Sequence, residues 1–140
     1  MGNTAFHQIS EQSSSGTSTG VLHTVPAGKA WRVLSTYVTV TAGAATGNRK
    51  IALRAQSSTG RIVAQWNAGN VIASAETRAL NWAPGNPNDT AFDAEGLMLR
   101  AFPDDFMLPE GYALRVLDST GISSGDTLTA VRAIVEEFIA

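Results

Sequence analysis

The chain has only two imidazoles, His7 and His23, and no cysteine. A metal centre inside a β-fold needs clustered imidazoles, and these two do not cluster: His7 lies in a stretch rich in serine, threonine and glycine, and His23 alternates with Leu22 and Thr24 on a short strand. No cofactor and no transition metal is expected. Without cysteine there is no thiolate nucleophile, no cysteine zinc site and no disulfide framework. A Gly-x-Ser-x-Gly elbow and a phosphate-binding loop are both absent, so the chain reads as a non-enzyme with no catalytic residue to assign. The carboxylates gather in loops: Asp89, Asp93 and Glu95 in one, Asp104 and Asp105 in the next, Asp118 and Asp126 flanking a third. Oxygen-rich loops can hold calcium. No EF-hand spacing occurs here, however, and acids in turns ordinarily cap backbone amides. A glycosidase would need two opposed carboxylates in a cleft, which sequence does not locate.

Two further sets of side chains could bind. Trp31, Tyr37, Trp66, Trp82 and Tyr112 could build a sugar-stacking platform, as in a lectin-like module, although aromatics within alternating strands more often fill a core. Arg54, Arg61, Arg100, Arg115 and Arg132 fall on outward positions, where arginine suits a protein interface as well as a solvated face.

The elements that position these groups are strands. With 140 residues the chain forms one domain. Net charge of −2 and 16% charged residues, with no Lys/Arg cluster, exclude sequence-independent nucleic-acid binding. No long apolar run opens the chain, so neither a secretory signal nor a membrane span is expected, and synthesis is cytoplasmic. Residues 1–20 read as a flexible arm, because the run from Ser13 to Gly20 has no apolar side chain to offset its ordering entropy; Phe6 and Ile9 would anchor the arm on a partner.

Residues 21–140 then read as an all-β, antiparallel sandwich of jelly-roll type with about eight strands. Val25-Pro26-Ala27-Gly28-Lys29 marks a turn with proline at its second position, feeding a long strand that ends near Thr41. Its apolar residues fall on both faces, which places it centrally. Arg49 to Gln56 and Arg61 to Trp66 alternate at period two and should pair as a hairpin. Leu108-Pro109-Glu110-Gly111 repeats the first turn before Tyr112 to Leu117. The closing strand, Thr127 to Phe138, is again apolar on both faces, so self-association through Leu128, Val131, Ile134 and Phe138 is expected.

The stretch Val25-Pro26-Ala27-Gly28-Lys29-Ala30-Trp31, the loop Gly47-Asn48-Arg49 opening Ile51-Ala52-Leu53, and Leu108 to Val116 together resemble virion proteins of tailed bacteriophages. More narrowly, they resemble the jelly-roll cement (decoration) proteins of short-tailed phage capsids, of the Bordetella phage type. The resemblance spans Val21 to Phe138. It implies a non-enzymatic protein on the capsid exterior that binds the major capsid protein and itself, as a homodimer or trimer, with no direct nucleic-acid or membrane contact. A tail or fibre module would share the same turns. Candidate shell contacts are Phe6, Ile9, Arg54, Arg61, Arg100 and Arg115.

Overall fold

The computed structural model describes residues 7–17, 20–69, 71–86, 97–120 and 125–139. Strands β1 (His7–Thr17), β2 (Val21–Thr24), β3 (Lys29–Thr41), β4 (Ile51–Gln56), β5 (Ile62–Asn67), β6 (Thr77–Ala83), β7 (Leu97–Ala101), β8 (Met107–Leu108), β9 (Ala113–Asp118) and β10 (Thr127–Ile139) form two sheets. The wide sheet runs β1-β10-β3-β6-β7, with β8 joined to β3, and the narrow sheet runs β2-β9-β4-β5. The pairs β1/β10, β2/β9, β3/β6 and β4/β5 nest inside one another, as in a long hairpin rolled across two sheets. That is the jelly roll. β7 runs parallel to β6, the one departure from antiparallel pairing among these ladders.

β3 and β10 lie in the interior of the wide sheet, as their patterns predict, but not because both of their faces are covered with apolar contacts. In β3, Trp31 and Val33 point into the core, and so do Thr36, Val38 and Val40. The parity changes because Ser35 pairs with Ile134 while Val33 pairs with Val135, leaving Leu34 as an extra residue. β10 does the same: Leu128 is buried before the step and Val131, Ala133 and Val135 after it, with Ala130 held at φ 49° between them. A β-bulge moves inward-facing residues to the other parity. Two bulged strands thus mimic strands that are apolar on both faces.

This corrects the expected association surface. Leu128 and Val131, at 0% and 1% exposure, are packed in the chain's own core, whereas Ile134 and Phe138 stand half-buried on the outer face of the wide sheet.

Residues 7–17, expected within a mobile arm, form edge strand β1, paired along β10 from His7↔Phe138 to Thr17↔Thr127. Composition misleads here because an edge strand is held by backbone hydrogen bonds and needs little apolar burial. The bulge contributes a contact as well, since the Ala130 amide donates to Ser15 Oγ at 3.2 Å. Residues 1–6, including Phe6, lie outside the described residues. Ile9 is 61% exposed on the outer face. Between the edges β1 and β2 runs a polar seam in which Ser14 Oγ and His23 Nε2 lie 2.7 Å apart.

The two proline-glycine turns share one geometry. Lys29 N donates to Pro26 O and Tyr112 N to Pro109 O, each at 3.2 Å, with Gly28 and Gly111 at φ 76° and 79°. Proline therefore holds the first position of each turn, not the second, and glycine the third, where positive φ excludes most side chains. The turns also bind each other, through Val25 N to Tyr112 O and Gly111 N to Val25 O. At the opposite end of β3, the Arg49 guanidinium and the Asp126 carboxylate meet at 2.9 and 3.0 Å with both side chains fully buried. Arg49 also donates to the carbonyls of Gly47 and Gly43, and the Gly43 amide donates to Asp126. Burial alone would raise Asp126, but hydrogen bonds from Arg49 and Gly43 hold it below the ordinary carboxylate value.

Two measurable consequences follow from these packing details. Thr36 Oγ1 and Trp82 Nε1, on directly paired residues, are buried without hydrogen-bond partners. Thr36→Val removes one of these atoms at nearly constant shape and is expected to stabilise the fold by about 1 kcal/mol in urea denaturation. An unchanged or lowered midpoint would show that the hydroxyl has a partner. Burial of His23 lowers its pKa. A depressed imidazole stabilises the fold fully above the unfolded value near 6.5, and that contribution is lost as pH falls toward the folded value. The urea midpoint should therefore drop as pH falls through and below the unfolded value near 6.5, and His23→Gln should flatten that slope.

Candidate partner-binding face

The outer face of the narrow sheet gathers most of the arginines singled out by sequence. Arg54 in β4 and Arg115 in β9 are direct cross-strand partners, and the same row continues to Leu22 on β2 and Gln65 on β5. Alternation puts them there: Ile51, Leu53 and Ala55, and likewise Leu114 and Val116, are buried against the wide sheet, so Arg54 and Arg115 turn outward. Arg54 Nε donates to Gln65 Oε1 at 2.9 Å. Arg61, just before β5, and Lys50, just before β4, add two exposed cations.

Along the four strands of this sheet the only acid is Asp118, and it is occupied. Its Oδ1 accepts from Lys50 N, Thr120 N and Thr120 Oγ1 at 3.0, 3.0 and 2.7 Å. Two guanidiniums side by side on adjacent strands repel in isolation. Leu22, Ile62 and Val63, at 48–52% exposure, interleave apolar surface with the cations. At one end, Lys50, Ile51, Gln65, Asn67, Ala68, Gly69, Val71 and Ser119 line a recess of about 290 Å³. Arginine, aliphatic and amide groups around a recess suit a protein partner with acidic side chains.

The remaining expected site residues lie elsewhere. Arg100 is a correction: only 6% exposed, it donates to the carbonyls of Ala68 and Leu99, strapping β7 to the segment after β5. It is therefore no surface contact. Trp31 and Trp82 are buried, and Trp66 packs edge-on against Phe102 and Phe106 at 5.4 and 5.0 Å, so no tryptophan platform forms. Trp31 Nε1 instead donates to the Glu137 carboxylate at 2.9 Å. Of the loop acids, Asp89, Asp93 and Glu95 lie outside the described residues, Asp105 pairs with Arg32 at 2.8 Å, and Asp118 and Asp126 serve backbone and arginine donors. Among the described residues no group of three or more His, Asp or Glu is placed to hold a metal ion.

No protein-family model matches the sequence, and no curated protein matches it. Solved structures that are similar include T=1 particles derived from infectious bursal virus, at 11% identity with a TM-score of 0.35, and the infectious bursal disease virus VP2 subviral particle, at 9% and 0.35. Each comparison covers 95% of this chain and 32% of the other, so the chain spans about a third of those proteins' length. At this distance the assignment of fold rests on the strand order itself.

Gly20 leaves room for the Arg115 side chain. It adopts φ 136°, and a Cβ there would fall on the Arg115 guanidinium. Gly20→Ala should therefore destabilise the fold by roughly 1–3 kcal/mol and push Arg115 off its position. Chemical denaturation together with the Arg115 side-chain NMR signals would report both, and an unperturbed Arg115 would show that the guanidinium is held by other groups.

Proposed function

We propose that this chain is a non-enzymatic structural protein of a bacteriophage virion, a cement or decoration protein that binds the outside of the major capsid protein shell and braces it. The observation that carries this reading is the outer face of the narrow sheet, where Arg54 and Arg115 stand side by side on adjacent strands and exposed Lys50 and Arg61 lie among exposed Leu22 and Val63. A shell presenting acidic side chains would complement it. The phage-like turns at Pro26–Gly28 and Pro109–Gly111 support the same reading, since in this fold they are hydrogen-bonded to each other and brace the start of the long strand β3.

The interface is shallow, and repetition makes up for that. Each contact is weak, but many copies on a shell, themselves linked as dimers or trimers, hold collectively. Ile134 and Phe138 remain as the part of the expected self-association surface that faces outward. Of the expected arm anchors, Ile9 sits on the exposed face of β1, at the far edge of the sandwich from β5.

The test is attachment to particles. Arg54→Glu combined with Arg115→Glu should cut particle binding at least about ten-fold at physiological salt while shifting the thermal midpoint little, because both side chains lie on the outer face. Wild-type copy number in purified particles should be in the hundreds, as avidity across a shell requires. A dozen copies would place the protein in a tail or fibre instead, and undiminished attachment of the double variant would remove the narrow sheet from the interface.

A further inference from the structure

The outer face of the wide sheet carries a second feature, independent of the arginine face. Between the two bulges, Glu11, Ser35, Tyr37, Thr39, Asn81, Ala130, Arg132 and Ile134 line a half-open depression of about 390 Å³. Arg132, Tyr37 and Asn81 form one row across β10, β3 and β6, and Glu11, Ile134 and Ser35 form the next across β1, β10 and β3. The bulge at Ala130 borders the depression on one side and the bulge at Leu34 on the other. Bulges bend a strand and steepen its twist, so two of them in adjacent strands turn a flat face concave.

The chemistry of the lining is specific. Its charged groups are one carboxylate and one guanidinium, 3.8 Å apart and each about half exposed, so the depression is neutral overall and both groups remain open to a ligand. Tyr37 OH and Thr39 Oγ1 lie 3.1 Å apart, and Ser35 adds a third hydroxyl. Asn81 is fixed by donating to Thr36 O at 3.2 Å and accepting from Asn86 at 2.8 Å. A half-buried aromatic ring, Ala130 and Ile134 supply apolar surface among these groups. The volume lies within the roughly 300–1,000 Å³ of small-molecule sites.

We infer that this depression is a binding site for a neutral sugar residue, the terminal unit of a glycan. A pyranose presents adjacent hydroxyls that both donate and accept, which suits a carboxylate that only accepts beside a guanidinium that only donates. Its C–H face is apolar and suits the Tyr37 ring. A ligand with a single charge would leave one of the two opposed charges unmatched. Binding to so open a site is weak for one unit and is multiplied when many copies are displayed together.

The experiment is an NMR titration of the isotopically labelled full chain with the methyl glycosides of glucose, galactose, mannose and N-acetylglucosamine, each to about 20 mM, a range that detects millimolar dissociation constants. At least one sugar should give saturable shifts confined to the amides around Ser35, Tyr37, Asn81, Ala130 and Arg132. Tyr37→Ala should weaken that binding at least about ten-fold. Glu11→Gln, an edge-strand change with little bearing on folding, should weaken it as well, while Arg54→Glu with Arg115→Glu should leave it intact. No saturable shift with any of the four, or shifts indifferent to both Tyr37→Ala and Glu11→Gln, overturns the inference. If Tyr37→Ala instead abolishes attachment to particles while no sugar binds, the depression is a protein contact and the sugar site is rejected. Sugar binding is read on the isolated chain, so its outcome is separate from whether the protein decorates a shell.

Discussion

The two β-bulges at the centre of the wide sheet set what every neighbouring strand can do. Without the extra residue at Leu34, one half of β3 would send its apolar side chains to solvent; without the step at Ala130, β10 would do the same. The bulges let Trp31 and Val33, and then Thr36, Val38 and Val40, face the same core, and they place Leu128 with Val131, Ala133 and Val135. The cost is local. Ala130 occupies a left-handed conformation at φ 49°, which an L-residue other than glycine, asparagine or aspartate rarely takes, and its amide is satisfied by Ser15 on the next strand. In this way β1, whose own side chains are mostly polar, becomes part of the device that keeps the core in register.

Charge inside the molecule is used for the same purpose of fixing loops. The Arg49–Asp126 pair is wholly buried, and a buried pair is weak grounds for net stability because desolvation offsets much of the attraction. Its clearer effect is geometric, since one guanidinium gathers the carbonyls of Gly43 and Gly47 and the start of β10 at a single point. Asp118 caps Lys50 and Thr120, Arg100 straps Ala68, and Glu137 receives Trp31. Asp105, Asp118 and Asp126, loop carboxylates that could look like calcium ligands, are acceptors for the protein's own donors.

What remains for partners is divided between two outer faces of different character. The narrow sheet presents adjacent arginines among aliphatic side chains, a surface fitted to an acidic protein partner. The wide sheet presents a concave, electrically balanced pocket of hydroxyl, amide and aromatic groups, fitted to a small neutral ligand. The difference has one origin: the central pair of the narrow sheet, β9 and β4, has no bulge, so the row from Leu22 through Arg115 and Arg54 to Gln65 continues unbroken, whereas the central pair of the wide sheet is bulged in both strands.

Much of the architecture could be read from the sequence. Period-two alternation marks the β4–β5 hairpin, the proline-glycine pairs mark two turns, and the apolar weight of β3 and β10 places them in a sheet interior. The outward arginines Arg54 and Arg115 follow from the same alternation. Single-residue bulges do not announce themselves in this way, because each is defined by hydrogen bonds to neighbouring strands and in the sequence looks only like a strand that is apolar on both sides. That ambiguity is what made Leu128 and Val131 look like interface residues. β1 was hidden for a related reason: a serine-rich segment has no apolar pattern to display, and its place in the sheet comes from backbone pairing with β10. Likewise nothing in the identities of Arg49 and Arg100 distinguishes them from Arg54; only the packing of loops around the first two buries their charge, and only the side-by-side rows of two bent strands bring Tyr37, Arg132 and Glu11 together.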